Sequence, residues 1–272
     1  MSVLLSTTYF GPVQWYQKLY RHDRVLIEAH EPFKKQTYRN RCYIATAQGL
    51  QALTVPVVHA PAVPGASPAL IASGASPAVT ASGASPAVTA SGASPAVTAS
   101  GAFPAVTASG GFPAGMSPSP SSPDISTVLI SDHGNWQHQH WQAITSAYGD
   151  SPFLEYYEDD LRPFFFETDR WPRLIDFNEA IRQKMCELLD IQPHVALTTA
   201  YATPSSQVCC DGIATPADCR DTIRPKQPLP DDTFTPRPYY QVFSHRHGFL
   251  PNLSILDLLL NMGPESIFYL RS

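Results

Sequence analysis

The sequence predicts an α/β protein: a small mixed sheet that starts with a βαβ unit, helices packed on it, and a disordered repeat insertion. Three observations predict this class. Strand, helix and strand patterns follow one another within the first 28 residues, amphipathic helical stretches recur after residue 123, and residues 61–123 carry no charge. We expect residues 1–60 and 124–272 to form one domain around this linker.

The βαβ unit lies at the N-terminal end. The run from Val3 to Thr8 is typical of a strand, and Arg24 to Glu28 is typical of a second one. Between them Gly11-Pro12 opens a helix, whose apolar face consists of Val13, Tyr16, Leu19 and Tyr20. Two strands joined by a helix in so short a span predict a parallel pair.

A hairpin is predicted next, with strands Cys42 to Thr46 and Ala52 to Val58 around Gln48-Gly49. Its strands are antiparallel, which would make the sheet mixed. After the linker, Ile125 to Ser131 resembles one more strand.

Three helices are predicted in the second part, from Trp136 to Tyr148, from Leu174 to Asp190 and from Leu253 to Asn261. Asn135 can cap the first of them. Asn252 or Ser254 can cap the last, and Asp257 would complete a capping box with Ser254. Gly263, followed by proline, ends that helix.

The linker repeats every nine residues. Copies of Gly-Ala-Ser-Pro-Ala-Val-Thr-Ala-Ser begin at Gly74, Gly83 and Gly92. A solenoid would need large apolar residues at fixed positions, whereas each of these copies offers one valine and a proline that restricts its neighbour. The composition therefore favours a disordered, partly polyproline-like linker without a part in chemistry.

Charge is unevenly distributed along the chain, whose net charge is −5. Residues 1–60 hold seven basic and three acidic groups, a net charge of +4, and residues 124–190 hold five basic and thirteen acidic groups, a net charge of −8. One interpretation is that the basic part docks on the acidic part. The acidic balance argues against a nucleic-acid-binding protein.

Cysteine usage and hydropathy indicate a cytoplasmic protein. The five cysteines are an odd number, and the start Met1-Ser2-Val3-Leu4-Leu5 lacks the charged beginning of a secretory signal. No apolar run approaches the roughly 18 residues that span a bilayer, so no membrane insertion is expected. Reduced thiols in the cytoplasm are the natural inference.

No metal site is predicted. Cys209-Cys210 with Cys219, and the pair His245 and His247, are the candidates. Adjacent cysteines do not match the C-x₂-C spacing of zinc sites, and no second such pair exists. A P-loop, a dinucleotide fingerprint and a G-x-S-x-G elbow are also absent, so the sequence identifies no cofactor. It indicates no oligomeric state either.

The block from Lys34 to Arg41 holds four of the eighteen Lys and Arg residues in eight positions. It follows the second strand, and ligands of parallel sheets bind at the carboxyl ends of strands. We expect Lys35, Arg39 and Arg41 to hold phosphate, with Gln36 and Asn40 orienting the ligand. Tyr9, after the first strand, would face the same place.

Other candidates lie further along the chain. His247, before Gly248, could transfer a proton, or it could be a surface histidine in a turn. Trp141 could stack on a sugar or base, although a tryptophan on a helix stripe is usually core. Arg224 belongs to a mixed-charge patch with Arg220, Asp221 and Lys226 that could extend an anion site or form internal salt bridges. Asn252 stands at a helix N-terminus, which offers N–H groups to an anion.

Several blocks together resemble the WbqC-like family. They are Leu4-Leu5-Ser6-Thr7 with Tyr9, Glu28-Ala29-His30-Glu31, Lys35 to Cys42, Leu53 to Val57, Asn135-Trp136 with His140-Trp141, Arg220 to Ile223 with Pro225-Lys226, Tyr239 to Phe243, His247 to Ile255, and Gly263-Pro264. The resemblance covers nearly all of the chain outside the linker, and the piece around Cys209 and Cys210 departs from it.

That family is named from bacterial O-antigen and surface-polysaccharide gene clusters. The resemblance therefore implies a role in making or modifying an activated sugar, with acyl-type group transfer as the expected reaction class. A non-catalytic binding or assembly module of the same pathway is the alternative. A third, structural interpretation has the basic block neutralised by the acidic stretch 155–160.

Overall fold

The protein consists of short strands and helices, and the computed structural model describes residues 1–59, 122–202 and 216–271. In these ranges the strands are β1 (Ser2–Ser6), β2 (Arg24–Glu28), β3 (Arg41–Thr46), β4 (Gly49–Thr54), β5 (Val57–His59), β6 (Val128–Ile130), β7 (Val195–Leu197) and β8 (Ala217–Asp218). The α-helices are α1 (Val13–Arg21), α2 (Trp136–Tyr148), α3 (Leu154–Leu161), α4 (Pro163–Phe166), α5 (Leu174–Leu188), α6 (Ser244–His247), α7 (Ile255–Met262) and α8 (Ile267–Leu270). The repeat linker predicted at 61–123, apart from its last two residues, lies outside the described residues, as do Cys209 and Cys210.

A parallel sheet of four strands has the order β7-β2-β1-β8. β1 and β2 pair from Ser2 opposite Arg24 to Ser6 opposite Glu28, so both strands end at the same edge. With α1 between them, this pair is the predicted βαβ unit, and the α/β class is confirmed. The chain continues outward to β7 and then returns to β8 on the far side of β1. The boundary between β1 and β8 is therefore a topological switch point.

The predicted hairpin forms, but it does not join this sheet. β3 and β4 pair with each other from Arg41 opposite Thr54 to Thr46 opposite Gly49. The expectation of a mixed sheet is corrected to a parallel sheet beside separate two-stranded ribbons. One cause is that the backbone N–H of Ser254, just before α7, donates to the carbonyl of Tyr43 at 2.9 Å and so occupies the other edge of β3.

A second ribbon, β5 with β6, holds the two ends of the chain that flank the linker. Val57 lies opposite Ile130, and His59 lies opposite Val128. The predicted strand from Ala52 to Val58 is interrupted at Pro56, which has no N–H to donate. The strand predicted to begin at Ile125 instead starts with a 3₁₀ turn over Ile125–Thr127, because the Asp124 carboxylate accepts a hydrogen bond from the N–H of Ser126.

The three helices predicted after the linker form as α2, α5 and α7, but their capping differs from the prediction. α2 has the predicted bounds, but the Asn135 side chain makes no capping hydrogen bond. Ser254, and not Asn252, caps α7 through its Oγ. The predicted capping box does not form, because the Asp257 carboxylate accepts hydrogen bonds from the hydroxyl groups of Tyr148 at 2.8 Å and Tyr239 at 2.6 Å.

One hydrophobic core joins the elements before and after the linker. The Phe177 ring of α5 lies 5.9 Å from the ring of Tyr9, which follows β1, and 6.1 Å from Trp136 of α2. Phe10 stacks on Phe165 of α4 at 6.1 Å. Such aromatic contacts stabilise by about 0.5–1.5 kcal/mol beyond their buried area, so the residues after β1 are fixed against α2, α4 and α5.

Candidate functional site

Polar side chains collect at the carboxyl edge of the parallel sheet. Ser6, Glu28 and Asp218 end β1, β2 and β8. Arg39 and Arg220 enter from the loops that follow β2 and β8, and both are buried. Buried charges are retained only when they are paired and hydrogen-bonded, so the partners of these two arginines decide what the site can bind.

Arg39 is held by Glu31 and Ser6. Its Nε donates to Oε1 of Glu31 at 2.7 Å, and its Nη2 donates to Oγ of Ser6 at 2.8 Å. Both members of the ion pair are only 4% exposed. Nη1 of Arg39 has no hydrogen-bond acceptor among the described residues. Arg39 is thus held in a fixed position, and its Nη1–H groups are left without an acceptor within the described ranges.

Arg220 is held in the same way on the other side. Its Nη1 donates to Oε2 of Glu28 at 3.1 Å, and its Nη2 donates to Oδ2 of Asp218 at 2.7 Å. Partial burial alone would raise the pKa of Asp218, but the hydrogen bonds from Arg220 lower that pKa. The guanidinium also lies 5.2 Å from the centre of the Tyr201 ring. These contacts fix the plane of the Arg220 guanidinium.

Outside these two arginines lies a cleft of about 240 Å³, here called the basic cleft. It is lined by Lys34, Lys35, Gln36, Thr37, Arg39, Arg220, Asp221, Arg224, Pro225 and Lys226. Six of these residues carry a positive charge and one carries a negative charge. The structure therefore brings the predicted residues Lys35, Gln36, Arg39 and Arg224 together in one cleft.

The cations of the basic cleft are incompletely neutralised. Asp221 Oδ1 lies 3.4 Å from Nζ of Lys34 and 3.5 Å from Nη1 of Arg224, so one carboxylate forms ion pairs with two cations. Nζ of Lys226 donates to the amide oxygen of Gln36 at 2.8 Å, which is a neutral partner. No carboxylate in the described ranges pairs with Lys35 or Lys226. The cleft thus keeps a net positive charge in a protein of net charge −5.

A much smaller space of about 10 Å³, here called the inner recess, shares Arg39 and Arg220 with the basic cleft. Its lining residues are Ser6, Thr7, Thr8, Trp15, Tyr38, Arg39, Cys219, Arg220 and Ile223. Burial raises the pKa of Tyr38 to about 12 and also raises the pKa of the Cys219 thiol. At neutral pH these two groups are therefore uncharged, and Cys219 is not an activated nucleophile.

Three predicted ligand residues are buried elsewhere. The Tyr9 hydroxyl lies 2.9 Å from Nδ1 of His140 within the core. The Asn40 amide donates to the carbonyl of Val55 at 2.9 Å. Trp141 packs on Phe165, with ring centres 5.5 Å apart. None of the three lines the basic cleft, and each has a structural contact that accounts for its position.

Three further predicted residues lie around the hairpin and α1. Arg41 Nε donates to Oγ1 of Thr54 on the neighbouring strand at 2.7 Å. Asn252 Oδ1 accepts a hydrogen bond from the N–H of Gln14 at 3.0 Å and so fixes the start of α1. His247 is exposed, with Nε2 3.2 Å from the carbonyl oxygen of Ala47 in the hairpin turn. The structure does not bring His247 to the basic cleft.

The interpretation that the acidic stretch 155–160 neutralises the basic block is wrong for the described residues. Glu158 pairs with Arg162 of the next turn, and Asp160 pairs with Lys184 of α5. The partner of Arg39 is Glu31, at 2.7 Å, only eight positions away. Local pairing is the reason, because the cation bound by Glu158 lies just after α3 and the cation bound by Asp160 lies on α5.

Glu28, Glu31, Thr8 and Arg220 were not among the predicted site residues. Arg220 and Asp221 had a signal, since a mixed-charge patch with Arg224 and Lys226 could extend an anion site. Glu28 is the last residue of β2, where a buried carboxylate has no sequence signal of its own. Thr8 and Glu31 did have a signal, because they follow the first two strands and ligands bind at the carboxyl ends of parallel strands.

Two kinds of feature are absent from the described residues. Within residues 1–59, 122–202 and 216–271, no group of three or more His, Cys, Asp or Glu side chains could hold a metal ion. No helix in the part of the chain that the structure describes has the length and apolar character to cross a membrane.

The fold and the cleft define a class: α/β proteins whose parallel strands end at a cationic cleft. Within that class, the chain belongs to the WbqC-like protein family, whose model matches residues 7–63 and 116–217. These ranges include the basic block and Glu28. The residues between 220 and 226 that line the basic cleft lie beyond them. Comparison with curated proteins and with solved structures gives no match.

Proposed function

We propose that the basic cleft binds a small anionic metabolite of the nucleotide-activated sugar class, and that the protein acts in bacterial surface-polysaccharide biosynthesis. The observation that carries the proposal is the charge of the cleft, where the four cations other than Arg39 and Arg220 are opposed by one lining carboxylate, that of Asp221. Its place at the carboxyl ends of β1, β2 and β8 supports a ligand site. The pathway rests on the association of the family with surface-polysaccharide gene clusters.

The residues of the cleft divide into fixed and adaptable groups. Arg39 and Arg220 are fixed by carboxylates and offer N–H groups in a set geometry. Lys35 and Lys226 lie exposed on flexible stems without a carboxylate partner among the described residues, so they can move onto phosphate oxygens. Gln36, which already accepts a hydrogen bond from Lys226, would orient the ligand beside them.

The proposed reaction is transfer of an acyl group to an amino sugar. The acyl group would pass from a thioester such as acetyl-CoA to the sugar amine, which forms an amide and releases a free thiol. A non-catalytic binding module is the second candidate, and one observation favours it. No histidine is found among the described residues that line the basic cleft, and His247 lies at the hairpin turn.

Isothermal titration calorimetry at low salt, with UDP-glucose, UDP and acetyl-CoA as ligands, tests the binding proposal. We expect Lys35→Ala, Arg224→Ala and Lys226→Ala each to weaken binding of the nucleotide ligands by about 10-fold, because hydrogen bonds to charged groups contribute about 1.5–3 kcal/mol. Binding should also weaken as salt is added, since exposed charges are screened.

Arg24→Gln is the matched control, because Arg24 is an exposed cation at the opposite end of β2. It should bind like the unaltered protein. Arg39→Ala is less useful, since it leaves Glu31 buried without its cation, a loss that costs about 3–5 kcal/mol of stability. Binding that none of the three substitutions changes would contradict the proposal, and so would the absence of binding by every nucleotide ligand.

Release of free thiol from acetyl-CoA in the presence of a nucleotide amino sugar separates the two candidates. Thiol release that depends on the sugar, and that falls in Lys35→Ala at a limiting sugar concentration, supports the transferase. Tight binding of the sugar without any thiol release supports the binding module.

A further inference from the structure

We propose that the inner recess receives a single hydroxyl oxygen of the ligand, so that the site selects hydroxylated phosphates such as sugar phosphates over phosphates without hydroxyl groups. This inference rests on the proposed function, because it places the phosphate in the basic cleft. Thr8 is the residue to which it assigns the selection.

The size of the recess sets the first limit. Its volume of about 10 Å³ is far below the 240 Å³ of the basic cleft. A space needs roughly 10–15 Å³ to hold one water molecule. A phosphoryl group, with its several oxygens, does not fit, whereas one hydroxyl oxygen does.

Charge sets the second limit. The two guanidinium groups at the recess, of Arg39 and Arg220, are opposed by the carboxylates of Glu31, Glu28 and Asp218. The surroundings of the recess are therefore not positive, in contrast to the basic cleft. An anionic oxygen gains nothing by moving inward from the cleft, but a neutral hydroxyl group can do so without a charge penalty.

Thr8 supplies an unsatisfied partner. The residue lines the recess, is 4% exposed, and its Oγ1 has no hydrogen-bond partner within the described ranges. Leaving a buried hydroxyl unpaired costs about 1–3 kcal/mol. A ligand hydroxyl can both donate and accept, so it could bond to Oγ1 of Thr8 and accept from Nη1 of Arg39, which also lacks an acceptor among the described residues.

The test compares two ligands of equal charge and similar ring size, glucose 1-phosphate and cyclohexyl phosphate, by isothermal titration calorimetry. We expect the unaltered protein to prefer glucose 1-phosphate. Thr8→Val should weaken binding of glucose 1-phosphate by roughly 3- to 10-fold, the size of one hydrogen bond, and leave cyclohexyl phosphate unchanged. Thr8→Ser keeps the hydroxyl group and should keep the preference.

The Oγ1 atom of Thr8 packs closely against Gly11, since a Cβ added at Gly11 would lie only 2.4 Å from it. In Thr8→Val a methyl group, which is larger than a hydroxyl, takes the place of Oγ1 and crowds Gly11. If Thr8→Val does not fold for this reason, Thr8→Ala removes the same hydroxyl without added volume and carries the same expectation.

Equal affinity for the two phosphates in the unaltered protein overturns the inference, and so does an equal loss for both in the Thr8 variants. Failure of both phosphates to bind overturns it as well. In each of these cases, UDP-glucose binding that Lys35→Ala weakens would show that the basic cleft still binds anions, so the two proposals can fail separately.

Discussion

Buried polar groups decide how individual residues of this protein behave. Arg39 shares an ion pair with Glu31, and both are 4% exposed, so its charge is largely committed within the protein. Lys35, in the same block, has no such partner among the described residues and stays available to a ligand. The sequence places both cations in one cluster, but it cannot show which of them is neutralised, because burial depends on the packing of distant segments.

His140 leads to a prediction about pH. It is 5% exposed, and burial lowers its pKa from 6.5 to about 4, while a hydrogen bond to the Thr54 backbone acts in the other direction. Because its folded-state pKa is depressed, its neutral form stabilises the fold fully above about pH 6.5. That stability is lost as the pH falls towards 4, and a shift of this size corresponds to about 3 kcal/mol.

Urea unfolding at pH 7.5 and pH 4.5 measures this loss, with His140→Gln as the variant that cannot titrate. The loss should be smaller in His140→Gln than in the unaltered protein. The difference between the two proteins is the quantity to use, because burial raises the pKa of Asp257 and its titration acts in the opposite direction. Equal losses in both proteins would show that His140 does not control the pH dependence.

At the scale of elements, α1 is fixed by a segment more than two hundred residues away. Lys18 of α1, 3% exposed, donates through Nζ to Oδ1 of Asp231 at 2.9 Å, and Gln14 Nε2 donates to Oδ2 of Asp231 at 2.7 Å. Burial alone would raise the pKa of Asp231, but the hydrogen bonds from Lys18, Thr233 and Gln14 lower that pKa to about 2. The polar face of α1 is thus an internal surface.

Asp231→Ala is therefore expected to be strongly destabilising. It leaves Lys18 buried without a carboxylate, and removing one partner of a buried pair costs about 3 kcal/mol or more. Hydrogen exchange should become faster in residues 228–236, which lose their attachment to α1. Asp232→Ala is the matched control, since Asp232 is exposed and its carboxylate has no ion pair within the described ranges. Similar effects of both substitutions would refute the role given to Asp231.

At the scale of the whole molecule, the sequence predicts what local patterns determine. The βαβ unit and helices α2, α5 and α7 were predictable because apolar periodicity marks each of them. β7 and β8 were not, since strands of three and two residues carry too little pattern and depend on pairing with β2 and β1. The basic block was predictable from charge density. The inner recess was not, because it exists only where the ends of β1 and β8 meet.

Deletion of most of the linker should leave the domain folded. Its flanks are joined by the β5–β6 ribbon, in which His59 pairs with Val128, and by the N–H of Phe33, which donates to the carbonyl of Pro123 at 2.8 Å. If the repeats form the unstructured loop that their composition predicts, deletion of residues 62–119 shortens a closed loop roughly sevenfold. The free energy of unfolding should then stay the same or rise by at most about 2 kcal/mol.

Urea unfolding and UDP-glucose titration of the deletion variant measure this, and the affinity of the basic cleft should not change. A variant of full length with the same residues of 62–119 in scrambled order is the control, and it should match the unaltered protein in both measurements. A scrambled linker costs nothing if only its length and composition matter. A loss of several kcal/mol in either variant, or a weaker cleft, would instead mean that the repeats pack on the domain through their particular sequence, because loop entropy alone can only make the shortened protein more stable.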